Sequence, residues 1–250
     1  MNEQTVNLLI VLAIAAGLWW WLSTAPADPF LDPLTLAPDR VALSLQEQVE
    51  QGRSVAREFE LQMGGRMRGP VQQRVDAIGR ELVATLGRLE TGLGADGTRW
   101  TVHPFRFNVL GTHVVNAFAL PDGSIYITNG LLNYLHSDEA IAAVLAHEIG
   151  HVVLRHTARA FESAAKGNLL LWVFGTAVGN ELAGDLAGVA NALFQLGFSR
   201  EQESQADAFG HVLACASPFG ARGFETVFGV FESLSGDGEV ELLSTHPLAG

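Results

Sequence analysis

The residues best suited to chemistry are His147, Glu148 and His151, which form the pattern H-E-x-x-H within His147-Glu148-Ile149-Gly150-His151. The surrounding segment is predicted to be helical, and positions i and i+4 of a helix lie on one face. Two imidazoles spaced in this way can bind one zinc ion, and the adjacent glutamate can take a proton from a zinc-activated water. That chemistry hydrolyses an unactivated amide. The alternative is a helix that carries these three side chains by chance.

A catalytic zinc site needs a third protein ligand. A third histidine in the pattern H-E-x-x-H-x-x-G-x-x-H is excluded, because Leu154 and Thr157 stand where glycine and histidine are required. Glu203 and Asp207 are four residues apart on a predicted helix. Glu203 could bind the metal, and Asp207 could accept a hydrogen bond from the far nitrogen of a ligating histidine. Glu201 is the competing ligand, and a solvated acidic helix face is the alternative reading of this segment.

The elements that position these residues follow from periodicity. The helix that carries H-E-x-x-H is predicted to begin after an N-cap at Ser137 and to end near Ala164. Helical patterns also cover Leu43 to Gln62, Val71 to Leu89, Ser199 to Cys215 and Ala221 to Leu234. Strand patterns cover Trp100 to Phe107, Val114 to Leu120 and Ser124 to Thr128. We therefore predict an α+β fold, mainly helical, with a small antiparallel sheet of about three strands.

The N-terminus has the pattern of a membrane anchor. Val6 to Leu22 is apolar apart from Asn7 and would span about 26 Å as a helix, close to the roughly 30 Å of a bilayer core. A cleaved signal peptide is the alternative, although no Lys or Arg precedes the apolar run. The predicted organisation is an anchor or signal sequence at 1–22, a Pro-rich linker at 23–40 and a catalytic domain at 41–250. The apolar stretch Leu169 to Val178 is too short to span and is expected to be a buried helix or a membrane-surface patch.

Composition narrows the class of partner. The chain has 250 residues, 48% of them hydrophobic, which is enough for a substantial core. Its formal net charge of −12 argues against a nucleic-acid partner, which would favour a basic face.

Three segments in order resemble a known family. The run from His147 to His156 is similar to the zinc helix of membrane-associated metallopeptidases of the HtpX, BepA, Oma-one and CAAX-prenyl-protease type. Asn116-Ala117-Phe118-Ala119-Leu120-Pro121-Asp122-Gly123 resembles the strand pair ahead of that helix, and Ser199 to Asp207 resembles the family's E-x-x-x-D ligand helix. The resemblance covers roughly Leu43 to Pro247 and implies a zincin-like domain.

The resemblance also implies roles for individual residues. His147, His151 and Glu203 would bind one Zn²⁺ per chain, Glu148 would be the general base, and Asp207 would support a ligand. The segment Asn116, Ala117 and Phe118 would bind substrate backbone by strand addition, although Asn116 could equally be a polar residue at a strand end.

Two further side chains are expected near the site. Arg155 is expected to support it by pairing with a carboxylate. His246, in Ser244-Thr245-His246-Pro247, matches a histidine-proline segment of the family. It could stabilise the developing oxyanion as a catalytic residue, or occupy the open zinc position and silence the enzyme. A surface histidine is the third possibility.

The expected function is therefore a zinc endopeptidase tethered to a membrane by a single N-terminal helix. Its expected partners are the membrane and misfolded or membrane-associated protein substrates, in envelope quality control, with the catalytic domain on the periplasmic or extracytoplasmic side. The alternative is a latent or weakly active, chaperone-like binding protein in which His246 blocks the zinc.

Overall fold

The computed structural model describes residues 41, 44–93, 103–163 and 198–235. The predicted anchor, the Pro-rich linker, the segment Leu169 to Val178 and His246 lie outside these residues. In the part that is described, none of the helices combines the length and the apolar character needed to cross a bilayer.

The described chain is mostly helical, with one small sheet. The helices are α1 (Leu45–Gln62), α2 (Pro70–Leu93), α3 (Asn129–Leu132), α4 (Asp138–Val153), α5 (Arg200–Ala216) and α6 (Arg222–Ser235). The strands are β1 (Arg106–Leu110), β2 (Ala117–Ala119) and β3 (Ser124–Thr128). The predicted α+β class and the number of strands are confirmed. The predicted helical segments agree with α1, α2, α5 and α6 to within a few residues at each end.

The sheet is mixed, which corrects the predicted all-antiparallel arrangement. The strand order is β1-β3-β2: β2 and β3 form an antiparallel hairpin around Pro121-Asp122-Gly123, whereas β1 pairs with β3 in parallel. Every residue of β3 is buried, so this strand lies at the centre and takes a neighbour on each edge. The connection from β1 to β2 therefore crosses to the far edge of β3, and β1 ends up parallel to β3.

Helix α4 lies at the centre of the core. Nearly all of its residues are buried, and it packs against α5, α6, α2 and β2. Ser137 is its N-cap, as predicted: its side chain accepts a hydrogen bond from the amide of Ala140 at 3.1 Å. A helix buried on all sides has fixed side-chain positions, which suits it to carry a site.

The helix does not continue unbroken to Ala164, as the periodicity predicted. It ends at Val153, and helical structure resumes over residues 156–163. Arg155 lies between the two parts with φ of 63°, in the left-handed region that non-glycine residues rarely adopt. No glycine or proline marks this break, so the sequence pattern did not reveal it.

Candidate metal centre

Helices α4 and α5 approach each other closely beside the H-E-x-x-H pattern. A Cβ atom placed on Gly210 of α5 would lie 2.9 Å from the backbone nitrogen of His147. A Cβ atom on Gly150 of α4 would lie 3.1 Å from the carbonyl oxygen of Ala206. Two glycines thus bring the backbones into near contact, and this places the carboxylates of α5 against the histidines of α4.

Three predicted ligands meet at this crossing. The Nε2 atoms of His147 and His151 are 3.0 Å apart, and each lies 3.5 Å from a carboxylate oxygen of Glu203. His151 and Glu203 are buried, and His147 is partly buried. Imidazole nitrogens and a carboxylate oxygen are ligands that zinc prefers.

The separations of these atoms suit a tetrahedral metal ion. At zinc–ligand distances of about 2.0–2.2 Å, the ligand atoms of a tetrahedral site lie about 3.3–3.6 Å apart. The observed separations of 3.0 and 3.5 Å are close to that range. The residues present therefore fit a zinc ion and leave a fourth position for another ligand.

Asp207 orients His147. The Nδ1–H of His147 donates to Oδ1 of Asp207 at 2.8 Å, which leaves the lone pair of Nε2 directed at His151 and Glu203. Burial alone would lower the pKa of His147, but hydrogen bonds to Asp207 and Glu203 and the charge of Glu148 raise it to about 10. The carboxylates thus make this position favourable for positive charge.

Glu148 lies beside the three ligands. It is buried, and its charge contributes to the raised pKa of His147. Successive residues of a helix are separated by about 100°, so Glu148 faces to one side of the line that joins His147 and His151. Glu148 is thus not one of the three side chains that could hold a metal together, and its carboxylate remains a candidate proton acceptor.

Comparison with known proteins identifies the family. The sequence profile of "Peptidase family M48" matches residues 72–249, which is more than half of the chain. The chain belongs to peptidase family M48. The predicted family resemblance is thereby confirmed.

Curated relatives of this M48 chain are known from plants, bacteria and fungi. It is 37% identical over 153 residues to the "Mitochondrial metalloendopeptidase OMA1" of Arabidopsis thaliana. The matched region covers 61% of this chain and 30% of that relative. The chain is 28% identical over 191 residues to the "Beta-barrel assembly-enhancing protease" of Escherichia coli, 70% of this chain and 36% of that protein. The OMA1 of Saccharomyces cerevisiae is 32% identical over 158 residues, 61% and 44% of the two chains. The matched regions thus span less than half of each relative.

The predicted substrate segment of the M48 domain lies at the edge of the sheet. Strand β2 pairs with β3 on one side, through Ala117 with Ile127 and Phe118 with Tyr126, and has no strand on its other side among the described residues. Asn116 is buried, and neither atom of its amide group has a hydrogen-bond partner within the described part of the chain. Within the described residues, the backbone at this edge of β2 is thus not paired with another strand.

The carboxylate partner expected for Arg155 is not found among the described residues. Within the described residues its guanidinium makes no ion pair, and burial lowers its pKa. Its charge instead acts on His103: burial, and then the charge of Arg155, lower the pKa of His103 to about 4. The structure thus shows Arg155 at the break of α4, with its charge close enough to His103 to lower the pKa of that imidazole.

Two more residues of the M48 domain contact His151: His156, for which the sequence favours an outer or surface role over ligation, and Phe198, which the sequence does not single out. His156 is fully buried, and its Nδ1 lies 3.1 Å from Nδ1 of His151, on the far side of that ring from Glu203. The ring of Phe198 stacks on His151 with centroids 3.9 Å apart. A straight helix would have turned His156 away from His151, so its contact could not be predicted without the break at Arg155.

Proposed function

We propose that this chain is a zinc-dependent endopeptidase, tethered to a membrane by its N-terminal segment, that cleaves misfolded or membrane-associated proteins. The observation that carries the proposal is the meeting of His147, His151 and Glu203, with Glu148 beside them and Asp207 behind His147. The names of the relatives, a metalloendopeptidase and a protease, support peptide-bond hydrolysis.

The proposed roles follow from the donor set. His147, His151 and Glu203 hold the zinc ion, which when bound lowers the pKa of water and polarises a carbonyl group. Glu148 accepts a proton at its carboxylate and later donates it to the leaving amine. Asp207 keeps His147 in the tautomer whose Nε2 can bind metal.

We assign substrate binding to the edge of β2. An extended peptide would add to this edge as a strand, which aligns its backbone beside α4. Asn116 directly precedes this strand, and we include it in the segment that binds the peptide.

The setting is proposed from the sequence and from one relative. The apolar run Val6 to Leu22 supports a membrane tether. The bacterial relative is named for enhancing the assembly of β-barrels, and we extend this to envelope proteins as substrates of the present chain. We also propose that the catalytic domain is extracytoplasmic.

The test compares Glu148→Gln with Glu139→Gln, an exposed glutamate on the same helix. Zinc content and cleavage of a casein-type or misfolded membrane-protein substrate are measured for both variants. We expect Glu148→Gln to keep its zinc and lose cleavage by about 100-fold or more, because proton transfer contributes about 10²–10⁴-fold. Glu139→Gln should match the unmodified chain. Unchanged cleavage by zinc-loaded Glu148→Gln would show that the chain is not a peptidase of this kind.

A further inference from the structure

We propose that His156 and Gln205 are positioning residues that hold His151 in its metal-binding tautomer. This inference rests on the zinc site proposed above and extends it to the side of His151 that faces away from the metal. His147 has a carboxylate partner for this purpose, Asp207. His151 instead has a neutral partner, the second imidazole, which is in turn held by an amide.

The three side chains form a continuous chain of hydrogen bonds. Nδ1 of His156 lies 3.1 Å from Nδ1 of His151, and Nε2 of His156 lies 3.0 Å from Oε1 of Gln205. An amide oxygen only accepts, so Nε2 of His156 carries a hydrogen, and in the neutral imidazole Nδ1 then presents a lone pair. That lone pair accepts the Nδ1–H of His151.

The direction of these hydrogen bonds leaves a lone pair on the nitrogen of His151 that would bind the metal. A neutral imidazole with hydrogen on Nδ1 has its lone pair on Nε2. Nε2 of His151 is the atom that faces Nε2 of His147 and the carboxylate of Glu203. The amide of Gln205 therefore determines, through His156, that the correct nitrogen of His151 is free to bind zinc.

The break in α4 makes this contact possible. In a straight helix, residues five apart are separated by about 140° around the axis, so His156 would point away from His151. The left-handed conformation of Arg155 turns the chain between the two histidines. A strained backbone at one residue is thus compensated by a hydrogen bond behind the ligand.

Burial favours a single tautomer and a single ring orientation of His151. His151 and His156 are fully buried, so water does not compete for the hydrogen bond between their rings. Phe198 stacks on His151 with an interplanar angle of 21° and limits rotation of its ring. The tautomer and the orientation of His151 are therefore both set before metal binds.

Two substitutions of His156 separate positioning from packing. Asn places an acceptor oxygen where Nδ1 of His156 lies, whereas Phe keeps the ring volume and removes the acceptor. We measure zinc affinity of the full chain by competition with a chelator, together with kcat and KM. Outer partners of metal ligands typically contribute 10–100-fold in affinity. We expect His156→Phe to bind zinc about 10–100-fold more weakly and His156→Asn to recover most of that loss.

Two substitutions of Gln205 provide a second pair of variants if substitution of His156 prevents folding. Gln205→Glu keeps an acceptor for Nε2–H of His156, and Gln205→Met removes it. We expect zinc affinity to fall in Gln205→Met and to be retained in Gln205→Glu, with thermal unfolding of the chelated proteins as the check on folding.

The outcomes are distinct. If His156 only fills space, the zinc affinity of His156→Phe should be closer to that of the unmodified chain than the zinc affinity of His156→Asn, and that result would overturn the inference. Unchanged zinc affinity in all four variants would overturn it as well. If the unmodified chain itself binds no zinc, the proposed function fails and this inference fails with it. If it binds zinc and cleaves protein while the variants are unaffected, only the positioning role is wrong.

Discussion

Replacement of Gly210 by alanine should weaken the metal centre without touching any ligand. The new Cβ atom would lie 2.9 Å from the nitrogen of His147 and 3.1 Å from its Cα, both backbone atoms of a buried helix. Contacts of this kind are optimal near 3.5–4.0 Å, so α5 must move from α4 by about 0.5 Å or more. Zinc sites tolerate about 0.2 Å in ligand distance, and Glu203 and Asp207 lie on the moving helix.

Two opposing free energies act on stability in this variant. Alanine is favoured over glycine inside a helix by about 0.8–1.0 kcal/mol. Overpacking in a filled interior costs about 1–3 kcal/mol. We therefore expect Gly210→Ala to lower the free energy of unfolding by about 1 kcal/mol, and to lower zinc affinity as well.

Gly229→Ala is the matched control for Gly210→Ala. Gly229 lies inside α6, and a Cβ atom there meets no described atom within 4 Å. This variant should gain up to about 1 kcal/mol from helix propensity and leave zinc affinity unchanged. Chemical denaturation and chelator competition are run on both. A Gly210→Ala protein that is stabilised like Gly229→Ala and binds zinc normally would refute the close crossing of α4 and α5 as the basis of the site.

Three further predictions concern single side chains. The pKa of His103 is lowered to about 4 in the folded protein, so the unfolded chain takes up this proton more readily. The free energy of unfolding should therefore fall by up to about 3 kcal/mol as pH falls from about 6.5 to 4. His103→Leu should lack this loss in denaturation at the two pH values, and an equal loss would contradict the assignment. Arg155→Gly should raise the unfolding free energy by about 1 kcal/mol and keep zinc affinity, since glycine adopts positive φ freely. Lower zinc affinity would instead show that the arginine side chain supports the site. His246→Ala should lower kcat if His246 stabilises the transition state and raise activity if it blocks the zinc, whereas an unchanged rate would assign it to the surface.

The chemistry of the site could be predicted from the sequence because it depends on local spacing. His147 and His151 share a face of any helix, and Glu203 with Asp207 share a face of another. The N-cap at Ser137 is also a local signal, and it was found as predicted. Pro121-Asp122-Gly123 carries the local signal of a turn, and β2 and β3 form a hairpin around it.

The features that were missed depend on contacts between distant segments. β1 pairs with β3 in parallel, and the apolar pattern of a strand gives neither its direction nor its place in the sheet. The break at Arg155 and the stacking of Phe198 on His151 carry no spacing signal of their own. The sequence alone therefore does not show that His156 contacts His151.

The zinc content of the purified full chain tests the central claim most directly. The comparison is Glu203→Gln, at the buried carboxylate that meets both histidines, against Glu201→Gln, at the exposed carboxylate two residues earlier. We predict one zinc ion per unmodified chain, retained in Glu201→Gln and lost in Glu203→Gln. Full zinc occupancy in Glu203→Gln, or loss in Glu201→Gln, would contradict the assignment of the metal centre.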